Sequence, residues 1–365
     1  MSSKLSDYVK ISPIKESGIT IFDKIRVDGE KTYGDNTTIA CYSHIHHDHM
    51  HGFGNSLGEI GTVTYTTNLT KKLLLRSKPS LKIKSRYKEL EYFKTKKIDG
   101  FEFSFLKSNH ILGSGQILVR GPEGSVLYSS DFMLKGTYTD VPDVDVLVLD
   151  ANHGSPDISQ VYENKKNSKE KLATYIQKIV QQQQKPMIIR AHVGTLQEVM
   201  MWCDEICKKN IQFFSEDNQQ SAFAEVYADE REILLRAIEV NDNEISRLLS
   251  LEIPLIRFFA GFNGNITECE EIEPMIHSIH FSGTRISYDS TNNLSRMASI
   301  NLQEHASHSE ILEYVKKIKP QKGIVVDNNP TRTQTEKNAI DLTETLIKLH
   351  SNLTVEYQPI KRPAN

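Results

Sequence analysis

What this 365-residue chain lacks narrows its class before any motif is read. Cysteine is scarce. Cys41, Cys203, Cys207 and Cys269 show neither disulfide-framework spacing nor a CxxC pair, which argues against a disulfide-stapled secreted scaffold and a sulfur-ligated zinc ribbon. Cys203 and Cys207 stand one helical turn apart among apolar neighbours and read as buried thiols. No apolar run reaches the length of a membrane span, and the opening MSSKLSDYVKISPIK lacks the hydrophobic stretch of a secretory leader. The expectation is a soluble cytoplasmic protein with no membrane partner. Charge excess is missing too: 44 basic against 47 acidic residues leave −3, so any grip on a polyanion must come from a local patch.

The apolar content, 38% of residues, suffices for a large core, and the length suggests two or three domains. Short β-rich runs fill the first 150 residues: GITIFDKIRVDG, TTIACYS, GTVTYT, GFEFSFLKS, GQILVRG, GSVLYSS and DVLVLDAN. After Asp150 the pattern changes. Leu172, Tyr175, Ile176, Ile179 and Val180 recur at helical spacing, and KPMIIRAHVG reads as a buried strand. Thr195 and Glu198 form a capping-box signature for a following helix, as do Ser307 and Glu310 for SHSEILEYVKKIKP. Residues 214 to 250 read as an acidic, helical, solvated surface. The organisation expected is a β-rich α/β layer domain over 1–155, an inserted α/β module over 156–295, and a return to the first domain over 296–365.

The stretch SHIHHDHMH, residues 43 to 51, packs five histidines and one aspartate into nine positions after the strand-like TTIACY. Alternation in an extended segment sets His44 and His46 on one side, and the turn after them can bring Asp48 and His49 to a second point nearby. Imidazoles with a carboxylate suit a borderline cation such as Zn²⁺, with Mn²⁺ also accepting similar ligands. His47 and His51 fall out of register. Further ligands should follow strands: His110 after FSFLKSN, and Asp131 after VLYSS.

His44-x-His46-x-Asp48-His49, then His110, then Asp131 resembles the metallo-β-lactamase fold signature over the first 150 residues. The resemblance implies a four-layer αβ/βα sandwich with two zinc ions at one edge. It places His44, His46 and His110 on one metal, Asp48 and His49 on the other, and Asp131 between them. Asp28 in RVDG matches the aspartate that orients the histidine loop, with Asp23 as the other candidate.

Three later stretches resemble the β-CASP nuclease branch of that family, closest to its DNA cross-link-repair and Artemis-type members. DVDVLVLDANHGSP, ending its strand at Asp150, is similar to motif A. MIIRAHVGTLQEVM is similar to the entry of the inserted β-CASP domain. QEHASHSEILEYVKKIKPQKGIVV is similar to motif B, with His305 as the histidine completing the second site and His308 as the other candidate. Motif C falls at Val326 or Asp327, without histidine, and Asp327 can orient Asp150 or His305.

The implied activity is hydrolysis of phosphodiester bonds in DNA or RNA by a hydroxide bridging two metals, with Asp48, Asp131, Asp150 and His305 as the catalytic set. Exonuclease action on single-stranded, 5′-phosphorylated ends, in repair or RNA processing, is the expected form. A small-molecule ester, thioester or lactone hydrolase, or a non-catalytic nucleic-acid scaffold, is the alternative. Candidate contacts to nucleic acid are Ser282, Thr284 and Arg285 in FSGTR, and Lys82, Lys84 and Arg86 in the basic stretch 71–97, where Tyr87, Tyr92 and Phe93 interleave with the charges.

Overall fold

A computed structural model describes residues 4–11, 18–29, 37–50, 53, 62–77, 87–159, 164–181, 187–207, 212–215, 218–231, 238–239, 255–260, 277–281, 297–327 and 333–358. The chain forms two compact units. One joins Met1–Gln160 to His305–Asn365, and the other is Val161–Glu304. Both divisions fall later than the 155/156 and 295/296 boundaries expected from sequence.

In the first unit β1 (Val9–Ile11), β2 (Ile19–Ile21), β3 (Ile25–Val27), β4 (Ile39–Cys41), β5 (Val63–Thr66) and β6 (Tyr87–Glu89) pair in chain order as one mixed sheet. The run GITIFDKIRVDG is therefore two strands, β2 and β3, paired antiparallel. Phe22 and Asp23 take left-handed backbone at the turn between them. Helix α1 (Asn68–Ser77) lies between β5 and β6 in the chain and buries Leu73 and Leu74.

A second sheet begins with β7 (Thr95–Ile98), β8 (Phe101–Lys107), β9 (Gly115–Gly121), β10 (Gly124–Tyr128) and β11 (Val146–Asp150). In the second unit β12 (Met187–Ala191), β13 (Gln212–Ser215), β14 (Ile238–Glu239), β15 (Leu255–Ala260), β16 (His277–Phe281) and β17 (Met297–Ile300) form an all-parallel sheet, ordered β14-β13-β15-β12-β16-β17. Because β17 pairs with β16, this unit extends past residue 295. Helices α2 (Lys165–Gln181) and α3 (Thr195–Cys207) supply Leu172, Ile176, Leu196, Val199 and Cys203 to its core. Helix α4 (Asn218–Glu230) buries Phe223, Ala224, Val226, Tyr227 and Ala228. The solvated surface expected for this stretch is thus corrected: its apolar side chains face a core.

The chain then returns through α5 (His308–Ile318), β18 (Gly323–Asp327), α6 (Thr333–Leu349) and β19 (Thr354–Tyr357). Strands β18 and β19 complete the second sheet in the order β19-β18-β11-β10-β9-β8-β7, whose first four strands run parallel. Alternation along its strands divides the core of the first unit. Val146, Val148 and Val325 pack with Ile21, Ile25, Val27 and Ile39 of the first sheet. Leu147, Leu149, Ile324 and Val326 pack with Ile311, Tyr314, Val315, Leu342 and Leu346 of α5 and α6. The architecture is an α/β sandwich.

Local signals explain the helix starts unevenly. Ser307 and Glu310 make both halves of a capping box at α5, which ends at Lys319 in left-handed backbone. The capping box expected at Thr195 and Glu198 does not form. Thr195 lies inside α3, its hydroxyl bonds to Glu304, and Glu198 pairs with Arg231; the turn is closed by Gln197 Oε1, which accepts from Gly194 N at 2.7 Å.

Candidate metal centre

The carboxyl ends of four strands, β4, β8, β10 and β11, lead into one place. Directly beyond β4 come Ser43 and His44; beyond β8, His110; beyond β10, Asp131; and Asp150 closes β11. Strand ends in parallel register bring residues distant in sequence side by side, as Asp150 and Asp327 are across β11 and β18.

One potential ligand atom from each of His44, His46, His110 and Asp131 lies within 4.8 Å of the other three. Asp131, Asp150 and His305 make a second group by the same measure. Asp131 belongs to both. Its Oδ2 lies 3.3 Å from His49 Nε2, 3.6 Å from His110 Nε2, 3.8 Å from His44 Nε2 and 3.9 Å from His305 Nδ1. Burial disfavours its charge, but His49 and His305 outweigh that and hold the carboxyl well below the usual range. Ser130, just before it, takes left-handed backbone.

His44 is fully buried, and burial followed by the neighbouring His49 and His46 holds its ring well below the ordinary histidine value. Its Nδ1 is 2.9 Å from Ser43 Oγ, while Nε2 has no hydrogen-bond partner. His46 Nδ1 and His110 Nε2 are 3.0 Å apart. His110 is set by the loop that follows β8: its N–H donates to Ser114 Oγ, and Thr67 and Thr70 hydroxyls both donate to the Gly113 carbonyl.

Asp28 is the hub beneath the histidine loop. Its carboxylate accepts from Ser43 N at 2.7 Å, Ser43 Oγ at 2.6 Å and Tyr128 Oη at 3.1 Å, and faces His49 Nδ1 at 2.8 Å. Asp23, the other candidate, is exposed and pairs with Lys10. Burial opposes a charge on His49, yet Asp131 and Asp28 on its two ring nitrogens raise it well above its ordinary value.

The second group differs from the sequence assignment. Neither Asp48 nor His49 joins three ligand atoms within that distance among the described residues, whereas Asp150, expected to be catalytic only, does. The cause is topological: β10 and β11 are parallel neighbours, so the acids beyond their ends meet. Asp150 Oδ2 is 3.1 Å from His305 Nδ1, and burial with Asp131 beside it raises its carboxyl. Asp48 shares a single 3-10 turn with His49, and burial is outweighed by His49 and His46, which lower its carboxyl. His308, the alternative to His305, instead engages the Gly154 carbonyl. His47 is exposed.

Val326 is buried in β18, with Asp327 closing the strand. Cys41, Cys203 and Cys207 are buried, and burial pushes the Cys41 and Cys203 thiols up, away from the thiolate a metal needs. Ser282, Thr284, Arg285, Lys82, Lys84, Arg86 and His51 lie outside the described residues. Sequence reading missed Tyr128, Ser43 and Asn152. Asn152 Nδ2 lies 3.3 Å from His305 Nδ1, and its position two residues after Asp150 was the available signal.

Among known proteins, the sequence matches no family model and no curated relative. No helix among the described residues is long and apolar enough to cross a membrane.

The donor chemistry fits a metal. A buried imidazole nitrogen without a partner is costly unless something accepts its lone pair, and His44 Nε2 faces the site in that condition. Three imidazoles and a carboxylate make a nitrogen–oxygen set suited to Zn²⁺.

Proposed function

We propose that this chain is a metal-dependent hydrolase of phosphodiester bonds in nucleic acid, with the metallo-β-lactamase fold and an inserted β-CASP domain. The single observation that carries the reading is Asp131, one carboxylate shared by two groups of potential ligands. Three features support the fold: two packed mixed sheets with α5 and α6 on an outer face, an α/β unit between Gln160 and His305, and ligands at strand ends.

His44, His46, His110 and Asp131 would hold one zinc ion, and Asp131, Asp150 and His305 a second, with His49 and Asp48 beside it; Mn²⁺ is the other ion these donors accept. Two such ions supply Lewis acidity for a phosphoryl oxygen and a water of lowered pKa. The residues of the chain do the rest. Asp28 fixes the His49 ring and, through Ser43, the backbone that leads into His44. Asp150 and Asn152 flank His305 Nδ1, which keeps that imidazole oriented for charge that develops at a leaving oxygen.

The test is cleavage of matched 5′-phosphorylated DNA and RNA single strands by zinc-loaded protein, beside Asp131→Asn and His305→Ala variants. Cleavage by the wild type and its loss in both variants is the expected result, and the product ladder reads the polarity. Absence of cleavage by metal-replete protein, with turnover of a thioester or lactone instead, overturns the nuclease reading.

A further inference from the structure

Phe93 is one of four large apolar side chains exposed among the described residues, with 48% of its surface accessible. It also has left-handed backbone, φ 65°, which a bulky residue adopts at a cost of about 1 kcal/mol or more. A position needing that backbone favours glycine or asparagine for folding alone. An exposed ring in a strained turn is therefore not explained by stability.

The surroundings say what it fits. The turn Glu91–Lys94 is closed by Lys94 N donating to Glu91 O, and Phe93 N donates to Phe105 O at 2.8 Å. Its ring meets Tyr138 edge-on, centroids 4.9 Å apart. Tyr138 N donates to Lys107 O, and Thr137 Oγ1 accepts from Asn109 N, one residue before His110. The aromatic pair is thus joined through hydrogen bonds to the loop that carries a candidate ligand. Lys94 follows Phe93, the Lys107 carbonyl accepts from Tyr138 N, and Lys135 stands three residues before Tyr138; all three are exposed, and none is held in an ion pair among the described residues. Glu91, Asp140 and Glu89, the last paired with Lys71, are exposed acids nearby in sequence.

We infer that Phe93 and Tyr138 form a stacking platform for an unpaired nucleobase, with Lys94, Lys107 and Lys135 meeting the adjoining phosphates. Base stacking on an aromatic face tolerates any base, and free lysines around it complement the strand's charge. The inference rests on the nucleic-acid reading above and adds how a single strand is held.

The test is fluorescence anisotropy with labelled phosphorothioate single strands, oligo-dT and oligo-rU, and a matched duplex, on the full-length zinc-loaded protein. The single strands are expected to bind more tightly than the duplex, with the two arms showing whether DNA or RNA is held. Phe93→Ala is expected to weaken single-strand binding about tenfold, with Phe93→Tyr restoring it. Replacing the three lysines by alanine is expected to reduce the slope of log affinity against log salt by about 2. Phe93→Gly, which relieves the backbone, is expected to melt within about 3 °C of wild type, and Ile347→Ala, on another exposed surface, to bind as wild type does. Wild-type affinity in Phe93→Ala, or no single-strand binding at all, overturns the platform. Binding that depends on Phe93 without hydrolysis of phosphodiester strands overturns the hydrolase reading and leaves the platform standing. Hydrolysis with affinity indifferent to Phe93 overturns the platform alone.

Discussion

His49 Nδ1 sits 2.8 Å from Asp28 Oδ2, across twenty-one residues of sequence, while its Nε2 faces Asp131 Oδ2 at 3.3 Å. An imidazole held between two carboxylates has its orientation decided before any ion arrives. The same Asp28 carboxylate accepts from Ser43 and Tyr128, so the histidine loop and the end of β10 share one anchor.

Asp28→Ala should therefore act on both stability and metal affinity. It strands the Ser43 N–H and the Tyr128 hydroxyl in a buried place, at a cost of about 2–4 kcal/mol. Zinc affinity should fall roughly tenfold or more, because the Ser43 backbone that leads into the candidate ligand His44 loses its anchor. Asp23→Ala, on the exposed side of the same region, should stay within about 0.5 kcal/mol of wild type. Denaturant melts and competitive zinc titration read both, and equal effects of the two changes would assign Asp28 no special role.

Metal content should separate the two ligand groups. Elemental analysis of the wild-type protein should give two zinc ions per chain. His44→Ala should lose one ion and His305→Ala the other, while Asp131→Ala should lose both, because only Asp131 belongs to both groups. A strong chelator should lower the melting temperature of the loaded protein, since an ion bound a hundredfold above its dissociation constant stabilises by about 2.7 kcal/mol. Identical metal loss in His44→Ala and His305→Ala would show a single site.

Gly113→Ala probes the loop that holds His110. Gly113 has φ 87°, and a Cβ there would stand 2.7 Å from Thr70 N and 2.8 Å from Thr70 Oγ1. Both the backbone and the contact oppose alanine, so destabilisation of about 2 kcal/mol or more is expected. Thr70→Ala alone should cost less, because it removes one of two hydroxyls on the Gly113 carbonyl. If Gly113→Ala melts with the wild type, the close approach is not restrictive.

Double-mutant cycles should distinguish the two capping signatures. Ser307→Ala should cost about 1 kcal/mol and should be non-additive with Glu310→Ala, since the two side chains satisfy each other's backbone. Thr195→Ala and Glu198→Ala should be additive, because these residues bond to Glu304 and Arg231 instead. Coupling of similar size in both pairs would contradict the geometry.

Much of the candidate metal centre was legible because it is local. His44 and His46 needed only strand alternation to share a side, and their rings lie 4.7 Å apart. Strands β8 to β11 of the second sheet and the start of α5 likewise follow from short-range patterns. Other features were hidden in proportion to sequence separation. Tyr128 reaches Asp28 across one hundred residues, and nothing in VLYSSD announces that. The burial of α4 was misread because the acids of the wider 214–250 stretch drew the reading, while within α4 itself Phe223, Ala224, Val226, Tyr227 and Ala228 are buried. Thr195 and Glu198 have cap spacing, but stronger partners elsewhere took both side chains.

Sequence alone determined which side chains are available as ligands, where the strands that lead to them end, and that they stand at those ends. Those are properties of residue type and of the two- and 3.6-residue periods. Tertiary structure decided which acid accompanies which histidine. Parallel pairing of β10 with β11 and of β11 with β18 sets the Asp131, Asp150 and Asp327 positions side by side, and the return of the chain at residue 305 adds the last imidazole. Register between strands distant in sequence is a property of the packed sheet, and no local window contains it.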